Sequence, residues 1–171
     1  MAFTFIRLNS GKKIDFVNPL PRQIDIHDIA YSLSGKCRFN DHTNEFYSVA
    51  QHCCNCCDNI SDRDLAFEAL MHDASEAYVG DVSAPLKALI PDYKKIEERV
   101  EKIIAKKFNL IFPHPPEVKE IDMVMLVTEM RDFMPGNDRK VLPFIPLPER
   151  LVSWDSNKAY EQFLMRYEQY R

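Results

Sequence analysis

The sequence predicts an all-α fold preceded by a short β-hairpin. From Pro21 onward, apolar residues recur at helical spacing in successive stretches. Alternation at every second residue is confined to Phe3, Phe5 and Arg7 and then Ile14 and Phe16, around Asn9-Ser10-Gly11. The chain has 171 residues, 46% apolar and 28% charged, which suits one globular domain with a full core. Residues 1–171 are therefore read as a single domain, with 1–20 a peripheral hairpin and 135–171 a proline-rich loop and a C-terminal helix.

Asp25 caps a short helix that runs through Leu33 and ends at Ser34-Gly35. A polar loop, Lys36 to Asn44, leads to a helix over 45–60, where Cys53, Cys56, Cys57 and Ile60 continue an apolar stripe from Phe46, Val49 and Ala50. A third helix is expected from Ser61 or Asp62 to Tyr78, closed by Gly80. Over 92–108 the spacing of Ile96, Val100, Ile103, Ile104 and Phe108 gives an amphipathic surface helix, which leaves open a homo-oligomer contact or a cover for its own core. After the Pro113, Pro115 and Pro116 loop comes a helix over 117–133, then an ordered loop over 135–148, then a helix over 155–170.

A formal charge of −4 argues against general affinity for nucleic acid polymers or anionic membranes. The chain has no apolar run long enough to span a bilayer, and Arg7, Lys12, Lys13 and Asp15 interrupt its first twenty residues, so a cytoplasmic location is expected. The cysteines in His52-Cys53-Cys54-Asn55-Cys56-Cys57 fit reduced side chains packed as small hydrophobes, because Cys37 alone lies elsewhere to complete a zinc cluster.

The helix over 62–78 is apolar nearly all round, which places it in the middle of the domain. It nevertheless carries His72, Asp73 and Glu76 on one face. Burying such charge without a partner costs several kcal/mol, and a bound cation is one way to offset it. Asp122 lies between Val118 and Met125 on the apolar side of its helix, Glu129 follows on the same side, and His52 adds a nitrogen from the cysteine helix. Two histidines and two aspartates form a mixed N,O set suited to Mn²⁺, Fe²⁺, Co²⁺, Ni²⁺ or Zn²⁺, with positions left open for water. The alternative is that each residue is simply hydrogen-bonded in the core.

His52, then Met71-His72-Asp73-Ala74-Ser75-Glu76-Ala77-Tyr78, then Ile121-Asp122 resembles the H…HD…D signature of the HD phosphohydrolase superfamily. The likeness, over roughly 22–132, is to small bacterial 5′-deoxynucleotidases and short phage enzymes that hydrolyse deoxynucleoside triphosphates. It also includes Cys37-Arg38-Phe39, His42-Thr43 and Gly80-Asp81. The resemblance implies an HD-domain helical bundle with a divalent metal ion, Mg²⁺ included, held by His52, His72, Asp73 and Asp122. It implies that Glu76 is the catalytic carboxylate, that Arg38 contacts phosphate and that Phe39 lies against the base. Asp81 resembles the residue that meets the sugar hydroxyl; His42, Lys87 and Lys119 are further substrate-binding candidates.

By this resemblance the expected reaction is hydrolysis of a deoxynucleoside 5′-monophosphate to deoxynucleoside and phosphate. The enzymatic alternative is release of triphosphate from a deoxynucleoside triphosphate, which the two lysines beside Arg38 mildly favour. A nucleotide sensor without turnover is the alternative outside enzymes; the presence of Glu76 argues against it.

Overall fold

A helix buried along nearly its whole length organises the molecule. In the computed structural model, which describes residues 3–136 and 142–171, α2 (Val49–Asn59) has every residue from Val49 to Cys57 buried. The sequence stripe placed only one side of this helix inside; neighbours on all sides bury the rest. The helix starts at Val49 rather than 45 because Ser48 is extended and caps it, its Oγ accepting from the Gln51 N–H at 3.2 Å. The residues just before the cap pair backward: Arg38 N–H donates to Tyr47 C=O at 2.9 Å and Val49 N–H to Lys36 C=O at 3.0 Å. All five cysteines are free thiols, and the four on α2 are fully buried, as the packing reading expects.

Helices α1 (Ile26–Ser34), α3 (Ala66–Met71), α7 (Pro116–Phe133) and α8 (Ser156–Tyr170) pack against α2. Asp25 caps α1 by accepting from His27 N–H, and Asp155 caps α8 by accepting from Lys158 N–H, each worth about 1 kcal/mol. The core joins Ile29, Leu33, Leu70, Met125 and Phe163 from these helices to Val100 and Ile104 of α6 (Pro91–Phe108). Thus α6 covers its own core. A short helix, α5 (Ala84–Leu89), lies in a stretch where no helix is expected from the sequence.

The hairpin consists of β1 (Phe5–Arg7) and β2 (Lys13–Asp15), antiparallel with Ile6 opposite Ile14. It is tied in more firmly than a peripheral element would be. Ile14 is fully buried in the core, and Asp28 of α1 accepts from Ser10 N–H at 2.8 Å and Ser10 Oγ–H at 2.6 Å.

The single helix expected over 62–78 is corrected to four pieces: a 3₁₀ turn (Arg63–Leu65), α3, a tight turn over 72–75, and α4 (Glu76–Val79). The N–H groups of Ala74, Glu76, Ala77 and Tyr78 donate to carbonyls three residues back, at 2.9 to 3.3 Å, so the chain winds more tightly than an α-helix there. A spacing of three apolar positions is common to both windings, and periodicity reads straight through the change. Of the loop expected over 135–148, residues 137–141 lie outside the described residues. Its end is anchored by Leu147 N–H donating to Thr128 Oγ1 at 2.9 Å.

Candidate metal centre

Three elements converge on one point. His52 comes from the middle of α2, His72 and Asp73 from the tight turn after α3, and Asp122 from α7. His52 Nε2 lies 3.2 Å from His72 Nε2, 3.2 Å from Asp122 Oδ1 and 3.6 Å from Asp73 Oδ2. His72 Nε2 lies 3.2 Å from Asp73 Oδ2 and 3.9 Å from Asp122 Oδ1. Two atoms each about 2.1 Å from a common cation stand about 3.0 Å apart at a right angle and about 3.4 Å apart at the tetrahedral angle. The three contacts at 3.2 Å fall in that range, while those at 3.6 and 3.9 Å are wider than the tetrahedral value.

The donors of the two imidazoles are spent on the far side. His52 Nδ1 is 2.5 Å from Glu129 Oε1, and His72 Nδ1 is 2.8 Å from Ala69 C=O. Acceptors there place each ring proton on Nδ1 and leave both Nε2 lone pairs facing each other and two carboxylates. None of the four then donates to another, and the nearest donors are Arg38 Nη1, 3.5 Å from Asp73 Oδ2, and the Cys56 thiol, 3.6 Å from His52 Nε2, so the cluster is repulsive unless a proton or a cation enters. Burial and the Arg38 charge oppose protonation of His52, yet Cys56, Glu129 and Asp122 outweigh them and raise it well above the usual imidazole range. Burial likewise opposes a charge on His72, and Asp73 and Asp122 overcome it. Burial would raise Asp73, but His72, His52 and Arg38 hold it well below the usual carboxylate range. Asp122 is also lowered, its burial outweighed chiefly by His52.

Behind the cluster, fully buried Glu129 orients both His52 and Arg38: its Oε2 accepts from Arg38 Nε at 3.0 Å. Tyr47 donates to Glu129 Oε1 at 2.9 Å and accepts from Asn55 Nδ2 at 2.9 Å. Sequence reading found Glu129 because it lies on an apolar stripe. Tyr47 and Asn55 carried no such signal.

Arg38 opens a segment in which Phe39, Asn40 and Asp41 have φ of 55°, 52° and 63°. Left-handed backbone costs about 1 to 2 kcal/mol per residue with a side chain, and persists only where surroundings enforce it. Here Arg38 N–H is tied to Tyr47 C=O at 2.9 Å and Asn44 N–H to Phe133 C=O at 2.8 Å. The segment brings Arg38 Nη1 to 3.5 Å from Asp73 Oδ2 and sets the guanidinium 5.5 Å from the Phe39 ring centre. His42 is exposed at its end.

Glu76, at the start of α4, is buried, and its Oε2 has no partner. Burial, then the charges of Asp73 and Asp81, push its carboxyl up to about 9. Its Oε1 lies 3.7 Å from Lys87 Nζ, which donates to Glu97 at 2.7 Å. Burial likewise raises Asp81, which is half-buried nearby. Lys119 stands exposed on α7, one turn before Asp122. Glu97 was missed: it lies among the alternating lysines and glutamates of an amphipathic helix, yet it is buried. His114 was missed too; both its ring nitrogens are buried without partners, and it borders the same narrow cleft as His72, Ser75 and Glu101.

The larger concavities lie elsewhere, one of about 470 Å³ being bounded by Arg7, Asp28, Tyr31 and Tyr78. Chemistry marks the cluster better than volume does. Access comes from Asp122, whose side chain is 38% exposed while that of His52 is fully enclosed.

No family model matches the chain. It is 42% identical over 168 residues to the uncharacterized protein YfdR of Escherichia coli strain K12, covering 96% of this chain and 94% of that protein. It is 32% identical over 123 residues to an uncharacterized protein of Rhodobacter capsulatus, covering 66% of this chain and 62% of the relative. The extent of the first match places this chain in the same protein family as YfdR.

Proposed function

We propose that the chain is a metal-dependent phosphohydrolase with an HD-type helical bundle, removing the 5′-phosphate from deoxynucleoside monophosphates. The observation that carries this reading is the meeting of His52 Nε2, His72 Nε2, Asp73 Oδ2 and Asp122 Oδ1 with no donor between them, bordered by the unpartnered Glu76 carboxylate and by Arg38. These four residues would hold a divalent ion, Co²⁺, Mn²⁺, Zn²⁺, Fe²⁺, Ni²⁺ or Mg²⁺ being the candidates. Such an ion, when bound, supplies Lewis acidity at a phosphoryl oxygen and a more acidic water.

Glu76 receives the proton of the attacking water. Left alone, its raised affinity keeps it protonated at neutral pH; positive charge brought to the cluster acts in the opposite direction and frees it as a base. Water oxygen bonds to phosphorus as the bond to the 5′ oxygen breaks, and the departing deoxynucleoside oxygen takes up a proton. Arg38 is fixed through Nε by Glu129; Nη2, and Nη1 once it exchanges its long contact with Asp73, bind the phosphoryl oxygens. Phe39 offers a face for the base, and Asp81 an acceptor for the sugar hydroxyl.

One phosphate suits the charge at hand. Lys87 is already neutralised by Glu97, and Lys119 stands out in solvent, so the two lysines that favoured a triphosphate do not add free charge beside Arg38. The test is product identification from deoxynucleoside monophosphates, ribonucleotides and deoxynucleoside triphosphates with each metal. Deoxynucleoside and inorganic phosphate are expected with at least one of these ions. Intact triphosphate would transfer the chain to the triphosphohydrolases, and no turnover on any substrate would favour the nucleotide sensor.

A further inference from the structure

The four ligands proposed above leave one close neighbour unexplained. Cys56 lies one helical turn after His52 on α2, and its Sγ is 3.6 Å from His52 Nε2. That nitrogen is the one turned toward His72 and the aspartates. The ligand atoms of His52, Cys56 and His72 all lie within 4.8 Å of one another. For a cation with a nitrogen at about 2.1 Å and a sulfur at about 2.3 Å, the tetrahedral angle separates the two atoms by about 3.6 Å. The observed spacing has that value.

A thiol donating a hydrogen bond to a buried imidazole would also bring sulfur near nitrogen. It would not account for the rest of the arrangement, because the same Nε2 faces His72 Nε2 and Asp122 Oδ1 at 3.2 Å each. A second thiol, Cys53, lies within 4.8 Å of the ligand atoms of His72 and Asp73. The floor of the site, formed by α2, is therefore lined with sulfur, and its rim with oxygen.

We propose that Cys56 is a ligand for thiophilic divalent cations, so that the site has two coordination modes that depend on the ion. The proposal rests on the reading of the cluster as a cation site, not on its phosphohydrolase chemistry. Hard ions such as Mn²⁺ and Mg²⁺ take the imidazole and carboxylate set and keep open positions. Zn²⁺, Cd²⁺ or Co²⁺ takes His52, His72 and Cys56 together with one aspartate, and the thiol proton passes to water. Four protein ligands complete a tetrahedral shell and close it to water, which is the hallmark of a structural rather than a catalytic zinc site. Cys54 has no such role: it lies beside Arg166 and Asp58, on the α8 side of the helix.

The experiment is Co²⁺ titration of the full-length protein, read by absorption and by elemental analysis. With one Co²⁺ per chain, an intense near-ultraviolet sulfur-to-cobalt band is expected, lost in Cys56→Ser and Cys56→Ala and kept in Cys54→Ser. Zn²⁺ affinity in Cys56→Ser should fall on the order of tenfold or more while Mn²⁺ affinity stays unchanged. X-ray absorption of the Zn²⁺-loaded native protein needs no variant, and should show one sulfur at about 2.3 Å. Stoichiometric Co²⁺ with no sulfur signal would overturn the role of Cys56 and leave the four-ligand site standing. A band that survives in Cys56→Ser but disappears in Cys53→Ser would also overturn it. Absence of bound metal altogether would overturn the cation reading together with this proposal.

Discussion

Helix α7 carries two aspartates that the fold treats in opposite ways. Asp132, near its C-terminal end, has a side chain 2% exposed and surrounded by donors: Arg131 at 2.7 Å through two nitrogens, Arg150 Nη1 at 3.0 Å and Leu151 N–H at 2.9 Å. Its charge is balanced by protein atoms alone. Asp122, three turns earlier, is more open to solvent yet faces imidazole nitrogens and another carboxylate. Burial is therefore a poor guide to which polar cluster is balanced by the protein alone. The useful measure is whether donors match acceptors, and around Asp122 they do not.

The largest effect should follow from removing the unbalanced member. Asp122→Ala is expected to abolish stoichiometric metal and, with it, turnover; a full metal complement by elemental analysis would break the contrast between the two aspartates. Next, Glu76→Gln should keep metal but lower turnover by about 10²- to 10⁴-fold. The same variant sharpens the comparison through stability. A carboxyl raised to about 9 when folded, against an ordinary value of 4.5, binds more protons in the folded state between those limits, so stability falls as pH rises through that window. Removing the ionisable group removes the penalty. The metal-free variant should be more stable than the metal-free native protein at pH 8, on the order of a few kcal/mol, and indistinguishable from it near pH 4. Thermal melts at the two pH values check this.

The histidines give a third effect, also set by sign. Burial disfavours their charge, but the surrounding carboxylates prevail and raise both above the ordinary imidazole value of 6.5. In the metal-free state a proton takes the cation's place, so this contribution to stability is complete below that value and is lost as pH rises through the folded one. Metal must displace the proton. Affinity should therefore drop by up to about tenfold per pH unit for each proton displaced as the pH is lowered. Metal affinity that is flat from pH 8 to 5.5, by calorimetry with Mn²⁺, would mean that these nitrogens are not ligands.

What the sequence disclosed follows the same logic of mismatch. His72, Asp73, Asp122 and Glu129 were legible because each is polar where the helical period calls for an apolar residue; His52, at the edge of its helix, was legible through the H…HD…D pattern. Glu97 was not, since glutamates and lysines alternate along α6 and nothing in the pattern separates the buried one from the exposed ones. The tight turn at 72–75 and the left-handed run at 39–41 were hidden for different reasons. The turn is a local change of winding that keeps the spacing of three, whereas the left-handed run is held by tertiary hydrogen bonds, and Phe39 in particular has no intrinsic preference for positive φ. The start of α2 was misplaced because Phe46 extends the apolar stripe past the Ser48 cap.

The smallest effect belongs to the balanced aspartate and bears on the other half of the comparison. Burial alone would raise Asp132, but the hydrogen bond from Arg131, the Leu151 N–H and the charge of Arg150 lower it. Its contribution is therefore present above the ordinary carboxylate range and is lost as pH falls through the lowered folded value. Asp132→Asn keeps the shape and one acceptor oxygen but leaves two arginines without their anion, so a loss of about 1 to 3 kcal/mol is expected in urea denaturation at pH 7. That loss should shrink as pH falls through the lowered folded value, where the native carboxyl itself becomes neutral. Metal content and turnover should be unchanged, because the donors that Asp132 satisfies belong to the 147–151 segment and to α7 itself rather than to the cluster. If Asp132→Asn instead released metal, the two ends of α7 would be coupled, and balance of donors and acceptors would no longer separate a structural cluster from a functional one.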